Sequence, residues 1–182
     1  ELLEIFEDYK KKKLINYSGI SLARNFYFPS NLLNKFDFVQ DEFNLLRIDP
    51  IYKMKKFRNV LAARSVFANG ILTDGFKNKS VYKKNDHRSS WLRGDRKKNI
   101  LIQKKILEKL NKDNITQFAM NFVMHFELFD KFIFGFRTEK QFNIFLENLK
   151  NLKPLNKSII QKIISLHNNN KYFLNKKLRY NN

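Results

Sequence analysis

Arg137, Thr138 and Gln141 fall together in the run GFRTEKQF. A threonine followed three residues later by a glutamine has the spacing of a capping box, in which the two side chains serve backbone N–H groups at a helix start. A helix start is also a natural anion site, because its first N–H groups lack partners and the macrodipole is positive there. Arg137 would add a bidentate donor. A second candidate is ARSVFANGILT, Ala63 to Thr73, where an apolar run breaks into polar and glycine-bearing sequence. Ser65 reads either as a hydroxyl for a ligand or as a turn residue, and Gly70 permits close approach without a Cβ. Gln40, at the end of FDFVQ, presents an acceptor and donors on one side chain, although a polar strand end has the same look. Asp86, His87 and Arg88 form a further cluster, read as a surface ion pair or as a contact to substrate or phosphate. His125 reads as structural and His167 as solvent-exposed. Three scattered histidines and no cysteine give no metal-ligand spacing. The chemistry on offer is polar binding rather than metal or thiol catalysis.

These residues need elements to position them. Residues 1–12 read as a helix, with Leu2, Leu3, Phe6 and Tyr9 on one face, early glutamates and late lysines. Strands are expected at LINYSGIS (14–21), FDFVQ (36–40), VLAARSVF (60–67) and KFIFGF (131–136). Pro29 and Ser30 open a short helix through Leu33, and Asp49 with Pro50 opens another turn or two. From Lys77 to about Arg96 a long polar loop is expected, of the kind that is functional or disordered. Helices follow at about 97–110, at 116–126 with Phe118, Phe122 and Phe126 on one face, at 139–152, and after Pro154. Four strands alternating with helices, without two-residue hairpins, indicate an α/β fold with a parallel sheet. Four such units are about half of a (β/α)₈ barrel of ~250 residues. One domain is expected over residues 1–167, with a flexible basic polar tail over 168–182.

The 182 residues, 43% hydrophobic with 19 phenylalanines, suffice for one core. The net charge of +19 invites a polyanion reading. The lysines, however, sit in short scattered clusters (10–13, 55–56, 97–98, 104–105, 176–177) rather than one stripe, which favours solvated helix faces and leaves nucleic acid an unsupported partner. No apolar run approaches the ~20 residues of a membrane span. ELLEIFEDYKKKK runs acidic then basic, the reverse of a secretory leader. With no cysteine, the cytoplasm is the expected compartment.

Together these segments resemble the C-terminal half of an aldo/keto reductase barrel, strands five to eight. SGIS, Ser18 to Ser21, is similar to the family's segment after strand five, and Ser21 fits its carboxamide-binding serine; Leu22 stands where the family has an asparagine. Gln40 matches the strand-six glutamine, another carboxamide ligand, and Phe43 to Leu46 continues that match. In RSVFANGILT the resemblance implies that Ser65, Phe67 and Gly70 lie along the cofactor pyrophosphate. Arg64 occupies the position of the ring that stacks on nicotinamide. In GFRTEKQF it places Gly135, Arg137, Thr138 and Gln141 around the adenosine phosphate, Arg137 favouring a 2′-phosphate. Ile144 and Phe145 depart from the family's adenine-contacting glutamate and asparagine.

What the resemblance implies is an NADP(H)-dependent oxidoreductase acting on a small carbonyl or sugar-like substrate. The family's catalytic aspartate, tyrosine, lysine and histidine belong to the other half of the barrel, so no catalytic residue is assigned here and a partial sequence is expected. A half-barrel also leaves two sheet edges open to self-association, or to a partner chain that completes the barrel as a non-catalytic binding module.

Overall fold

Phe6, one turn before the lysine-rich end, seats the first helix: its ring meets that of Phe36 edge-on with centroids 6.1 Å apart. The computed structural model describes residues 1–22, 29–54, 57, 59–77, 82–111 and 113–173. Helix α1 covers Leu2–Lys11. The lysines at 55, 56, 176 and 177 lie outside the described residues, as does most of the expected tail.

The order after α1 is β1 (Gly19–Ser21), α2 (Ser30–Leu33), β2 (Phe38–Glu42), α3 (Pro50–Lys53), β3 (Val60–Arg64), α4 (Arg88–Trp91), α5 (Gly94–Glu108), α6 (Ile115–Met124), β4 (Lys131–Ile133), α7 (Glu139–Lys150) and α8 (Lys157–Asn169). The four strands form one sheet in the order β1-β2-β3-β4, with every pairing parallel. The α/β reading holds.

Strand ends differ from expectation for local reasons. β1 begins at Gly19, not Leu14, because its partner β2 begins at Phe38, the residue paired with Gly19. Phe36 closes the turn after α2 instead, its N–H bonding the Leu33 carbonyl. Gly19 fits closely there: an added Cβ would lie 3.1 Å from that of Phe38, tighter than ordinary contact. β3 stops at Arg64 because Ser65 takes a φ of +57°, a left-handed conformation that ends a strand. β4 stops at Ile133. The expected long loop contains α4, and α5 begins at Gly94. The start of the expected tail, Asn168 and Asn169, is still helical.

One face of the sheet carries the core. Val39, Leu61 and Ala63 are buried there beneath α6, whose residues from Ile115 to Val123 are all buried. A single apolar stripe was expected of this helix, but it is enclosed on every side, and its polar members are satisfied: Gln117 bonds Asn121 at 3.0 Å, and Thr116 bonds Asp74. Phe43, fully buried, stacks on Phe129 at 4.7 Å and meets Phe122 and Phe126 at 5.3 Å. The opposite face carries the alternate residues Ser21, Gln40, Arg64 and Ile133.

Candidate functional site

Parallel strands end on the same edge of a sheet, and loops leaving that edge can share one site. Ser21 pairs with Gln40 in register, and Arg64 pairs with Glu42 one step further on. Ser21 is exposed and Gln40 half-buried, with the Leu22 N–H donating to the Gln40 carbonyl at 2.8 Å. Arg64 is fixed at this end. Its Nη2 donates to the Leu22 carbonyl at 2.7 Å and its Nη1 to Ser65 Oγ at 3.2 Å, while its Nε is buried without a partner. Ser65 accepts that bond and keeps its own proton for donation.

The chain then turns through a left-handed series: Ser65 at φ +57°, Ala68 at +46°, Asn69 at +57° and Gly70 at +88°. For the non-glycine residues this costs of order 1–3 kcal/mol each, and neighbouring bonds hold it. Phe67 O accepts from the N–H groups of Gly70 at 2.9 Å and Leu72 at 3.1 Å. The Phe67 ring packs on Phe134 at 5.6 Å, so its side chain serves packing. Thr73 Oγ1 donates to the Gly70 carbonyl at 2.8 Å.

The helix start predicted at α7 forms, with the Gln141 side chain reaching the residue before the N-cap. Thr138 is the N-cap, its Oγ1 accepting from Gln141 N at 3.2 Å, and Gln141 Oε1 accepts from Arg137 N at 2.8 Å. Gly135 faces open space. Arg137 is exposed, and its Nη1 donates to Asp86 Oδ2 at 3.3 Å. Asp86 also receives Arg88 Nε at 3.0 Å and Nη2 at 2.7 Å; these bonds hold its carboxyl well below the usual carboxylate range. Arg88 continues to the Asn69 carbonyl at 3.3 Å and lies 4.2 Å over the Tyr82 ring. The ion-pair reading of Asp86 and Arg88 is thus observed, whereas the His87 ring is largely exposed. The carboxylate links the Ser65–Gly70 turn to the start of α7. Ser21, Gln40 and Arg64 form one group and Arg137, Thr138 and Gln141 another, with that turn between them.

A network that sequence reading missed lies directly after Gln40. Arg47, buried, reaches Asp41 at 3.2 Å, Glu42 at 3.4 Å and Asp49 at 3.2 Å. Asn44, fully buried, donates to the Ser65 carbonyl at 3.0 Å and so anchors the left-handed turn. Burial pushes Asp41 up to about 6, against the pull of Arg47. The available signal was an arginine among three acids in DEFNLLRID. His167 is a correction. Expected in solvent, it is largely enclosed, its Nε2 lying 2.9 Å from the Leu45 carbonyl and its ring 4.9 Å from that of Phe173. Burial is the first cause of its lowered pKa. Among the described residues no group of three or more potential ligand side chains could hold a metal, and no helix is long and apolar enough to cross a membrane.

No protein-family model matches the sequence, and no curated protein does. Solved structures do match. A glycerol dehydrogenase from Gluconobacter oxydans is similar over 90% of this chain and 52% of its own, at 17% identity and a TM-score of 0.67. An aldo-keto reductase from Bacillus halodurans matches over 90% of this chain in both forms. The holo form is 16% identical with a TM-score of 0.63 over 54% of its length; the apo form is 18% identical with a TM-score of 0.63 over 55%. The chain therefore spans about half the length of these structures, and its fold is that of half an aldo-keto reductase barrel.

Proposed function

We propose that this chain is the NADP(H)-binding, C-terminal half of an aldo/keto reductase, an oxidoreductase acting on a small carbonyl or polyol-like substrate. The observation that carries the reading is the convergence at one end of the sheet: Ser21 beside Gln40, the Ser65–Gly70 turn, and Arg137 at a capped helix start. A nicotinamide cofactor supplies hydride transfer when bound. The donor set fits its phosphates best. Gly70 has no Cβ to block approach, and Arg137 with the first N–H groups of α7 offers charge-assisted and dipolar attraction. Around the ring, Gln40 would hold the carboxamide, while Arg64 and Leu22 depart from the family pattern.

One similar structure is named as a glycerol dehydrogenase and another was solved in holo form, which supports cofactor use and a small hydroxyl- or carbonyl-bearing substrate. This half carries no assigned proton donor for the alkoxide, so activity belongs to a barrel completed by a second (β/α)₄ unit. A soluble cytoplasmic setting accords with the cysteine-free composition. The test is an NADPH fluorescence titration of the completed barrel at high protein concentration. Enhancement with saturation is expected; no change would remove the cofactor reading. The departures at Arg64 and Leu22 favour, as second reading, a non-catalytic half-barrel that binds through the same loops.

A further inference from the structure

Arg64 is held where three segments meet. Its Nη2 donates at 2.7 Å to the carbonyl of Leu22, just past the end of β1, and its Nη1 donates at 3.2 Å to Oγ of Ser65, the first residue of the left-handed turn. The Leu22 peptide is in turn bonded to β2, its N–H donating to the Gln40 carbonyl at 2.8 Å. The backbone of Arg64 is tied to the continuation of that strand, its carbonyl accepting from Phe43 N at 3.1 Å. Its Nε is buried without a partner, so the side chain is enclosed as far as its fork. The guanidinium therefore spans from the Gln40 end of the sheet to the start of the turn. A ligand that reaches from the Gln40 amide to that turn must pass it.

Both acceptors are neutral, so these bonds fix the place of the guanidinium without cancelling its charge. Asp41 feels that charge, but this carboxylate is itself bonded to Arg47 at 3.2 Å. A guanidinium is planar and can lie flat against a ring, as an aromatic side chain does. The two differ in what they tolerate. A fixed cation is compatible with a neutral ring and is repelled by a positively charged one. The two forms of a nicotinamide differ in this respect: the ring is a neutral dihydropyridine when reduced and a pyridinium cation when oxidised.

We propose that Arg64 is a specificity-determining residue that makes this site select the reduced over the oxidised cofactor. The inference rests on the cofactor reading above and adds to it a preference that the phosphate contacts cannot supply. Arg137 and the Ser65–Gly70 turn face the same phosphates in both forms, so only a group beside the ring can tell them apart. Holding the reduced form tightly and releasing the oxidised one easily suits a site that works in the direction of carbonyl reduction.

NADPH fluorescence titrations of the completed barrel, with NADP⁺ measured by competition, give both dissociation constants. NADPH is expected to bind on the order of tenfold more tightly than NADP⁺. Arg64→Gln removes the charge and should erase most of that ratio, mainly by tightening NADP⁺. Arg64→Lys keeps the charge but loses the fork that joins Leu22 to Ser65, and its ratio should stay near that of the wild type. Equal affinity of the wild type for the two forms overturns the proposal without any variant. An unchanged ratio in Arg64→Gln also overturns it, as does an equal weakening of both forms in the two variants, the mark of a residue that only clamps the strand ends. Failure of the wild type to bind either form removes the cofactor reading and this inference with it.

Discussion

Asp86 and Arg137, 51 residues apart in sequence, meet at 3.3 Å. The arginine that would attract a cofactor phosphate is thus already oriented by a carboxylate that Arg88 holds in place. Its own exposed pair with Asp86 adds little to stability, because solvent screens it.

Arg137→Ala should therefore leave the unfolding midpoint nearly unchanged. In the completed barrel it should weaken NADPH ten- to a hundredfold, roughly the worth of a charge-assisted bond, and weaken NADH much less. Parallel fluorescence titrations with the two cofactors check this. Equal losses for both would take Arg137 away from the 2′-phosphate.

Arg47 should matter in the opposite way, for folding rather than binding. It is buried among Asp41, Glu42 and Asp49, and Arg47→Met leaves buried carboxylates without their cation. Removing one partner of a buried pair costs about 3–5 kcal/mol. Urea denaturation should show that loss, with the slope of the transition preserved.

Acid should act through two groups of opposite sign. His167 is held below 6.5 by burial, so its contribution is present above pH 6.5 and lost as pH falls below it. Asp41, raised by burial from 3.8 to about 6, contributes stability below pH 3.8 that is lost as pH rises through 6. His167→Asn removes the first effect only. The stability gap between wild type and this variant should shrink from pH 7.5 to pH 5; a constant gap would mean that His167 titrates freely.

Gly70 has room for a methyl group, since an added Cβ would meet only Arg88 Nη1 at 3.6 Å, but its φ is +88°. Gly70→Ala should cost about 1 kcal/mol through backbone strain alone. Thermal unfolding measures it, and a stabilised variant would show that the left-handed turn is not kept.

What could be read in advance was whatever depends on local chemistry. Thr138 and Gln141 announced a helix start because capping is settled within four residues, and Gly70 marked a real turn. The parallel sheet followed from the alternation of elements. What escaped depends on tertiary partners. β1 is short because β2 supplies nothing opposite Leu14 to Tyr17, a fact about register and not about residues 14–17. α6, enclosed from Ile115 to Val123, looked amphipathic because its polar members Gln117 and Asn121 satisfy each other across one turn. His167 looked exposed because its acceptor, the Leu45 carbonyl, lies far away in sequence. The Arg47 network was visible as letters, but only burial turns three acids and an arginine into a structural unit. The strand-end residues Ser21, Gln40 and Arg64 do share one face, and their predicted ligand still awaits titration.

The spacing of the strands has a kinetic consequence. β1 to β2 and β2 to β3 are joined by short links, whereas the connection from Arg64 to Lys131 is about four times longer and contains α4, α5 and α6. By the logarithmic cost of closing a chain, bringing β4 home is harder by about 1.2 kcal/mol. The first three strands should therefore collapse together early, with β4 and α7 arriving last. Arg137 arrives with them, so the candidate phosphate site would be the final part of the molecule to acquire its shape.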